Sequence, residues 1–391
     1  MANKPTSGSS ASASTPTTAS SSASAGTSAG MSSSAGSSAG STGAGRQDDV
    51  LAGNPILTLE QQLDQIASFI SVHYKEVWDI ISSPGDFSTE HEQQAPGEQR
   101  QLQEDAEQAV GRLNDIVTHT SQLVLGVGLD HSIPGVAFTS NGPDISTVDG
   151  NTAVFVPSNP TGRIAVSLHG GPGWHGSGQE LEIFWRPTIA AIAELSGTTI
   201  IDVDYQLPLI RRRLSDDAQG NAVYSDHAEG TEGIIRDALA AVEAAEDVLS
   251  SIPSDTPPTD PTNESDSTAA THEEARGYDI VAFGSGTSAG IELAAQWNSE
   301  RIVLQHPRLF QPSPENETWR SHDFRQAQVL VQKATRDTIA VDAEEIAHNL
   351  QDLGATTTVT EYLGYHVLAT PAVQRECAQE AANFLQDGSV R

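Results

Sequence analysis

The chain has 391 residues and a formal net charge of −32, from 52 acidic and 20 basic residues. A surface this acidic repels nucleic acid and anionic membranes, so we expect neither as a partner. The single cysteine, Cys377, excludes an intramolecular disulfide and favours a reducing compartment, which makes the cytoplasm the predicted location.

A low-complexity segment opens the sequence, and we predict that residues 1–50 are disordered. Of the first 46 residues, 39 are Ser, Ala, Thr or Gly, and such a segment cannot bury enough apolar surface to offset its chain entropy. It lacks the apolar stretch of a secretory signal, and we expect no membrane-spanning segment anywhere in the chain. A Ser/Thr-rich stalk on an exported protein is the alternative to a cytoplasmic tail.

Residues 56–126 are predicted to form a helical hairpin. Residues 58–61 match a capping box, and apolar residues follow at helical spacing from Leu59 to Ile81. The stretch from Glu98 to Val124 repeats this spacing. The hairpin either packs on the domain that follows, forms a lid over its site, or supplies the interface of a homodimer.

From residue 130 to residue 388, strands and helices alternate, which predicts an α/β fold with a mainly parallel sheet and helices on both faces. In chain order, the first predicted elements are strands at 136–139, 152–156 and 163–168, a helix at 183–195, a strand at 198–204 and a helix at 230–250. A disordered insertion at 251–274 follows. The remaining predicted elements are a strand at 280–283, a helix at 291–297, strands at 301–305 and 328–335, a helix at 341–353, a strand at 356–363 and a last helix from 371.

A Gly-x-Ser-x-Gly pattern at residues 286–290 follows the apolar run 280–283 and precedes the helical run 291–297. A strand that enters this pattern and leaves it as a helix is the context of a nucleophile elbow, a strained turn that exposes a serine hydroxyl at the carboxyl end of a sheet. The pattern therefore predicts Ser288 as a nucleophile.

A glycine-rich turn at residues 169–173, His-Gly-Gly-Pro-Gly, ends an earlier apolar strand. Backbone N–H groups in such a turn can stabilise an oxyanion, because no side chains prevent close approach. Pro172 has no N–H. The predicted oxyanion donors are therefore the N–H groups of Gly170 and Gly171, together with that of Ala289.

An acid and a histidine follow the serine, each after a predicted strand. Asp337 comes after the strand at 328–335, and His366 comes after the strand at 356–363. The order Ser288, Asp337, His366 is one of the orders in which a serine hydrolase triad occurs. Asp342 is the alternative acid, although it falls inside the predicted helix.

Four other histidines receive different assignments. His169 is expected to brace the glycine-rich turn by hydrogen bonding. His306, His322 and His348 are predicted to be surface residues, because they lack the strand-end position. No metal-ligand spacing and no phosphate-binding loop appear in the sequence, so we expect no metal and no cofactor.

These motifs resemble those of the α/β-hydrolase superfamily and, within it, the hormone-sensitive-lipase-like esterases. The resemblance rests on His-Gly-Gly at 169–171, Asp-Tyr-Gln-Leu-Pro at 204–208 and Ser-Ala-Gly at 288–290, and it covers residues 130–388. The sequence departs from that family at Thr287, where the family has an acid, and at Pro172, where the family has a third glycine.

The resemblance implies an α/β-hydrolase fold and hydrolysis of small carboxylic esters, with a preference for short acyl chains. It implies an acyl-enzyme mechanism carried by Ser288, His366 and Asp337. A peptidase or amidase of the same fold is one alternative. A binding module of this fold that has lost catalysis is the other.

Overall fold

In the computed structural model of the chain, the described residues are 57–82, 93–125, 143–150, 152–171, 173–252, 277–310 and 317–390. The predicted tail at 1–50 and the predicted strand at 136–139 lie outside these ranges, as does nearly all of the predicted insertion at 251–274.

Within the described ranges, eight strands form the central sheet, in the order β1-β2-β4-β3-β7-β8-β9-β10. Two short strands, β5 and β6, pair with each other, and so do β11 and β12. The bounds are β1 Asp144–Val148, β2 Thr152–Val156, β3 Ile164–Leu168, β4 Thr199–Val203, β5 Arg213–Asp216, β6 Ala222–Tyr224, β7 Asp279–Phe283, β8 Arg301–Gln305, β9 Gln328–Ala334, β10 Thr356–Tyr362, β11 Gly364–Tyr365 and β12 Leu368–Ala369.

In the central sheet, β3, β4 and β7 to β10 run parallel, whereas β2 is antiparallel to both of its neighbours, β1 and β4. Strands β3, β4 and β7 are buried at every position, which is typical of strands covered on both faces. Because parallel strands end at the same edge, the residues that follow β3, β7, β8 and β9 come together there.

Helices cover both faces of this sheet. Their bounds are α1 Leu59–His73, α2 Lys75–Ser82, α3 Pro96–Gly111, α4 Leu113–Leu125, α5 Arg186–Ser196, α6 Gly230–Ser250, α7 Thr287–Trp297, α8 Ala343–Asp352 and α9 Pro371–Asp387. One apolar layer joins the sheet to α6, α7 and α8, and the other joins it to α5 and α9. This confirms the predicted α/β-hydrolase fold.

The N-terminal helices α1, α2 and α4 form a third apolar cluster, which also contains Leu368 of β12 and against which Ala109 of α3 packs. Each of the two predicted helical segments consists of two helices. The capping box at the start of α1 is present, with Thr58 and Gln61 bonded reciprocally. Among the described residues, none of the helices has the length and hydropathy that crossing a bilayer would need.

Relative to the sequence prediction, the described residues add one strand and extend one helix. The first strand among the described residues is Asp144–Val148, an edge strand that was not predicted because its positions are polar and exposed and it carries no apolar run. The predicted helix at 183–195 begins earlier, as a π-helical segment at Glu180–Trp185, and continues as α5. A π-helical segment has a wider period than the α-helical pattern used for the prediction.

Candidate active site

The sharp turn after β7 lies at Gly284, four residues before the predicted nucleophile. Gly284 has φ +50°, residues 284–286 form a single 3-10 turn, and α7 begins at Thr287. A Cβ on Gly286 would lie 2.5 Å from the carbonyl oxygen of His169, so only glycine fits there. The strand-to-helix turn is therefore built from residues 284–286 and not from residues 286–290.

Ser288, the predicted nucleophile, lies in the first turn of α7 and is 5% exposed. Its Oγ accepts a hydrogen bond from the backbone N–H of Phe310, with 2.7 Å between the two atoms. Ala289, the predicted oxyanion donor, follows it in the same turn and packs in the apolar core. The structure does not bring Ser288 to the pocket that contains the predicted base.

That pocket holds a different serine, Ser285. Its described lining combines polar residues with apolar ones, namely Gly171, His175, Glu180, Gly284, Ser285, Arg308 and His366 with Ile80, Ile81, Val110, Phe283, Ile339 and Val367. Ser285 is buried, and its Oγ donates a hydrogen bond to the carbonyl oxygen of Gly171. A hydroxyl and the imidazole of His366 thus line the same small pocket.

Asp337 and His366 are brought together as the sequence predicts. The Nδ1 atom of His366 lies 2.9 Å from Oδ2 of Asp337. Asp337 follows β9 and its Oδ1 accepts the N–H groups of Ile339 and Ala340, at 2.8 and 2.9 Å. His366 lies in the turn between β11 and β12. This arrangement leaves Nε2 of His366 as the ring nitrogen that can accept a proton.

The environment sets the protonation of this pair. Burial lowers the pKa of the His366 imidazole, and its hydrogen bond to Asp337 opposes that shift without cancelling it. Burial raises the pKa of Asp337, but hydrogen bonds from His306 and His366 outweigh burial and hold that pKa well below its usual range. Near neutral pH the pair therefore consists of a neutral imidazole and a carboxylate, which is the form a general base needs.

His306 is a third member of this cluster, and its prediction as a surface residue is wrong. Its Nδ1 lies 2.7 Å from the same Oδ2 atom of Asp337, and its ring lies 5.3 Å from that of His366, centroid to centroid. The sequence did contain a signal, because His306 directly follows β8 and so reaches the sheet edge where Asp337 follows β9. Its φ of +47° is rare for a residue with a Cβ.

The same three residues could hold a metal. Their ligand atoms, one from each of His306, Asp337 and His366, all lie within 4.8 Å of one another. Two imidazole nitrogens and a carboxylate oxygen suit zinc and other transition metals. The two hydrogen bonds to Asp337 satisfy the same atoms without an ion.

The predicted oxyanion turn is held tightly against the end of β7. A Cβ on Gly170 would lie 2.3 Å from the Phe283 ring, and one on Gly171 would lie 1.8 Å from the carbonyl oxygen of His175. Tyr205 donates a hydrogen bond to the carbonyl of His169 at 2.5 Å, and the two rings stack with centroids 4.0 Å apart. His169 therefore helps to fix the turn, and Gly171 reaches the pocket.

Asp342, the alternative acid, lies elsewhere. It precedes α8, and its Oδ2 accepts the backbone N–H of Leu309 at 3.1 Å. Asp342 thus contacts a backbone N–H group, whereas Asp337 contacts two imidazoles.

Comparison with known proteins gives matches to solved structures alone. No family model matches the chain, and no curated protein matches it. It is similar to the crystal structure of an esterase from the bacterial hormone-sensitive lipase family, with 11% identity, 84% of this chain and 98% of that chain covered, and a TM-score of 0.46.

Two further solved structures are similar to the chain. An esterase of Pyrobaculum calidifontis has 14% identity, covers 78% of this chain and 98% of its own, and has a TM-score of 0.46. An arylesterase has 15% identity, with 83% and 98% covered and a TM-score of 0.44.

Proposed function

We propose that this chain is a serine hydrolase that cleaves carboxylic esters, with Ser285 as nucleophile, His366 as general base and Asp337 as the group that orients the base. The observation that carries the proposal is the pocket itself: Ser285 and His366 line it together, and His366 is bound through Nδ1 to a carboxylate. A hydroxyl, a base and an orienting acid are the three parts that acyl transfer requires.

The reaction runs in two halves. His366 accepts the proton of Ser285 at Nε2 while Oγ attacks the ester carbonyl, and Asp337 stabilises the imidazolium that forms. Before attack, the Ser285 hydroxyl exchanges its hydrogen bond to the Gly171 carbonyl for one to His366. The imidazolium then protonates the leaving alcohol, and water hydrolyses the acyl-enzyme by the same route.

The oxyanion of each tetrahedral intermediate needs hydrogen-bond donors. Gly171 lines the pocket, so its N–H and that of Gly170 are our first candidates. The N–H of Gly286, the residue after Ser285, replaces that of Ala289 in this assignment. Each donor of this kind contributes roughly 10²- to 10³-fold to kcat.

Ser288 with Ala289 remains the alternative assignment from the sequence motif. It requires the hydrogen bond between Oγ of Ser288 and the N–H of Phe310 to break, and the first turn of α7 to open. Ser285 requires neither change, and we therefore favour it.

Short acyl chains are the proposed substrates. The apolar wall of the pocket includes Ile80 and Ile81 of α2 and Val110 of α3, so the N-terminal helices close the pocket on that side. This supports the role of these helices as a lid over that of a homodimer interface. We keep the cytoplasm as the proposed compartment, on the single Cys377 alone.

Matched serine variants test the proposal. Ser285→Ala should lower kcat on p-nitrophenyl acetate and butyrate by at least roughly 10⁴-fold, and Ser288→Ala should change it less than tenfold. Thermal unfolding of both variants serves as the folding control. Full loss in Ser288→Ala with activity retained in Ser285→Ala would reassign the nucleophile, and retention of activity in both would refute the serine mechanism.

One observation favours a second candidate, a binding module without catalysis. Gly284 occupies the left-handed position directly after β7, and a Cβ there would lie 3.5 Å from Cα of Gly170 and 3.9 Å from the N of Gly171. A nucleophilic side chain at this position, on the strained turn between strand and helix, would thus face the oxyanion turn. Gly284 has no side chain, so the turn itself presents no nucleophile at this position. Turnover that is absent in the wild type and appears in Gly284→Ser would favour this candidate over the esterase.

A further inference from the structure

A second buried histidine–carboxylate pair lies in the wall of the same pocket. His175 is 3% exposed, and its Nδ1 lies 2.5 Å from Oε2 of Glu180, which is also buried. Both residues line the pocket that holds Ser285 and His366. The mechanism above uses neither of them.

The other ring nitrogen of His175 is unused. Within the described residues, Nε2 of His175 is buried and has no hydrogen-bond partner. A buried polar atom without a partner carries a free-energy cost of roughly 1–3 kcal/mol, and native proteins keep few of them. A ligand in the pocket is therefore the natural source of a partner for this nitrogen.

Charge balance decides whether that nitrogen donates or accepts. The pair is neutral overall in two forms, imidazolium with carboxylate and imidazole with carboxylic acid. In both forms one proton lies between Nδ1 and Oε2, and Nε2 carries a proton of its own. The remaining form is a neutral imidazole that donates from Nδ1 to a carboxylate. It leaves a net negative charge on Glu180, which, unlike Asp337 with its four donors, lies near a second buried carboxyl, and this is costly.

The surroundings add to this cost. Glu107 is a second buried carboxyl, close enough to Glu180 for the two to repel. Among the described residues, Glu180 forms an ion pair with His175 alone. We therefore treat Nε2–H of His175 as a hydrogen-bond donor.

The loop that contains His175 is the oxyanion turn. The carbonyl oxygen of His175 lies 1.8 Å from the position that a Cβ of Gly171 would take, so His175 packs against the glycine whose N–H group is a candidate donor. Pro172 lies between them in sequence and has no N–H to offer. The turn therefore has one backbone donor fewer than a turn with three consecutive glycines.

We propose that His175, held by Glu180, is an oxyanion donor: its Nε2–H binds the carbonyl oxygen of the ester and the oxyanion that develops from it. This inference rests on the proposed esterase function and adds to it a catalytic residue that compensates for Pro172. The substrate class it selects is an acyl group with an accessible carbonyl oxygen.

Two variants of His175 test the proposal on the full chain. His175→Leu removes the donor and should lower kcat on p-nitrophenyl butyrate by roughly 10²- to 10³-fold with little change in KM. His175→Gln keeps an N–H near the position of Nε2 and should stay within about tenfold of the wild type. A trifluoromethyl ketone, which binds the serine as an oxyanion, should lose affinity for His175→Leu by a similar factor.

A measurement on the unaltered protein keeps the test independent of folding in the variants. Nitrogen-15 NMR of the histidine side chains should show a proton on Nε2 of His175, with a shift when the trifluoromethyl ketone binds. An unprotonated Nε2, or unchanged kcat in folded His175→Leu, overturns this inference alone. An inactive wild type overturns the proposed function and this inference with it.

Discussion

Replacing Asp337 by asparagine isolates the effect of one carboxylate oxygen. Oδ1 of Asp337 accepts two backbone N–H groups, and Oδ2 accepts Nδ1 of both His306 and His366. In Asp337→Asn the amide oxygen stays with the backbone donors, so the NH2 group faces the two imidazoles. Nδ1 of His366 must then accept a hydrogen bond, and Nε2 must carry the proton.

The protonated Nε2 cannot take the proton of the nucleophile, and the imidazolium loses its negative partner. A change of this kind costs about 10⁴-fold in kcat, or about 5 kcal/mol of transition-state stabilisation. We expect this loss for Asp337→Asn in hydrolysis of p-nitrophenyl butyrate, with KM little changed.

Asp342→Asn is the matched control, because Asp342 accepts one backbone N–H and its loss should change kcat less than tenfold. Both variants should remain folded in thermal unfolding experiments, since asparagine keeps the shape of aspartate. Near-full activity in Asp337→Asn together with its loss in Asp342→Asn would refute the assignment of the acid.

Three further outcomes are expected. The base must be neutral, and burial lowers the pKa of His366. The acid limb of the profile of kcat/KM against pH should therefore have its midpoint below about 6.5, the pKa of a free imidazole. A midpoint above that value would contradict the assignment. Gly171→Ala should abolish turnover or destabilise the fold, because its Cβ would lie 1.8 Å from the His175 carbonyl oxygen, and a variant with wild-type kcat and Tm would show that the turn adapts. A chain without residues 1–46 should keep kcat and Tm, and lost activity or solubility would show that this segment has a role.

Sequence patterns predicted the fold well where burial alone determines an element. The strand at 301–305 and the helix at 230–250 have the predicted bounds, because a short apolar run and a long alanine-rich helix are each unambiguous. The sequence also predicted the Asp337–His366 pair, since both residues follow β-rich segments at the carboxyl edge of the sheet.

The position of the nucleophile could not be predicted in the same way. Residues 286–290, Gly-Thr-Ser-Ala-Gly, place a serine at the middle position of an elbow, whereas residues 282–286, Ala-Phe-Gly-Ser-Gly, place Gly284 there and Ser285 one residue later. The choice depends on where β7 ends, and its pairing with β3, Leu168 opposite Ala282, sets that end. Such register is a tertiary property that a local motif does not contain.

His306 and His175 were missed for a related reason. His306 becomes a neighbour of Asp337 only because β8 and β9 are adjacent and parallel in the sheet. His175 meets Glu180 through a loop with four glycines at positive φ, Gly171, Gly173, Gly176 and Gly178, whose path no periodicity describes.

Covalent labelling followed by peptide mass spectrometry tests the central claim most directly. A fluorophosphonate probe should modify the folded protein once, and the modified peptide should carry the label on Ser285. His366→Ala should prevent the modification, because the hydroxyl then lacks its base. A label on Ser288, or no label on folded protein, would contradict the account.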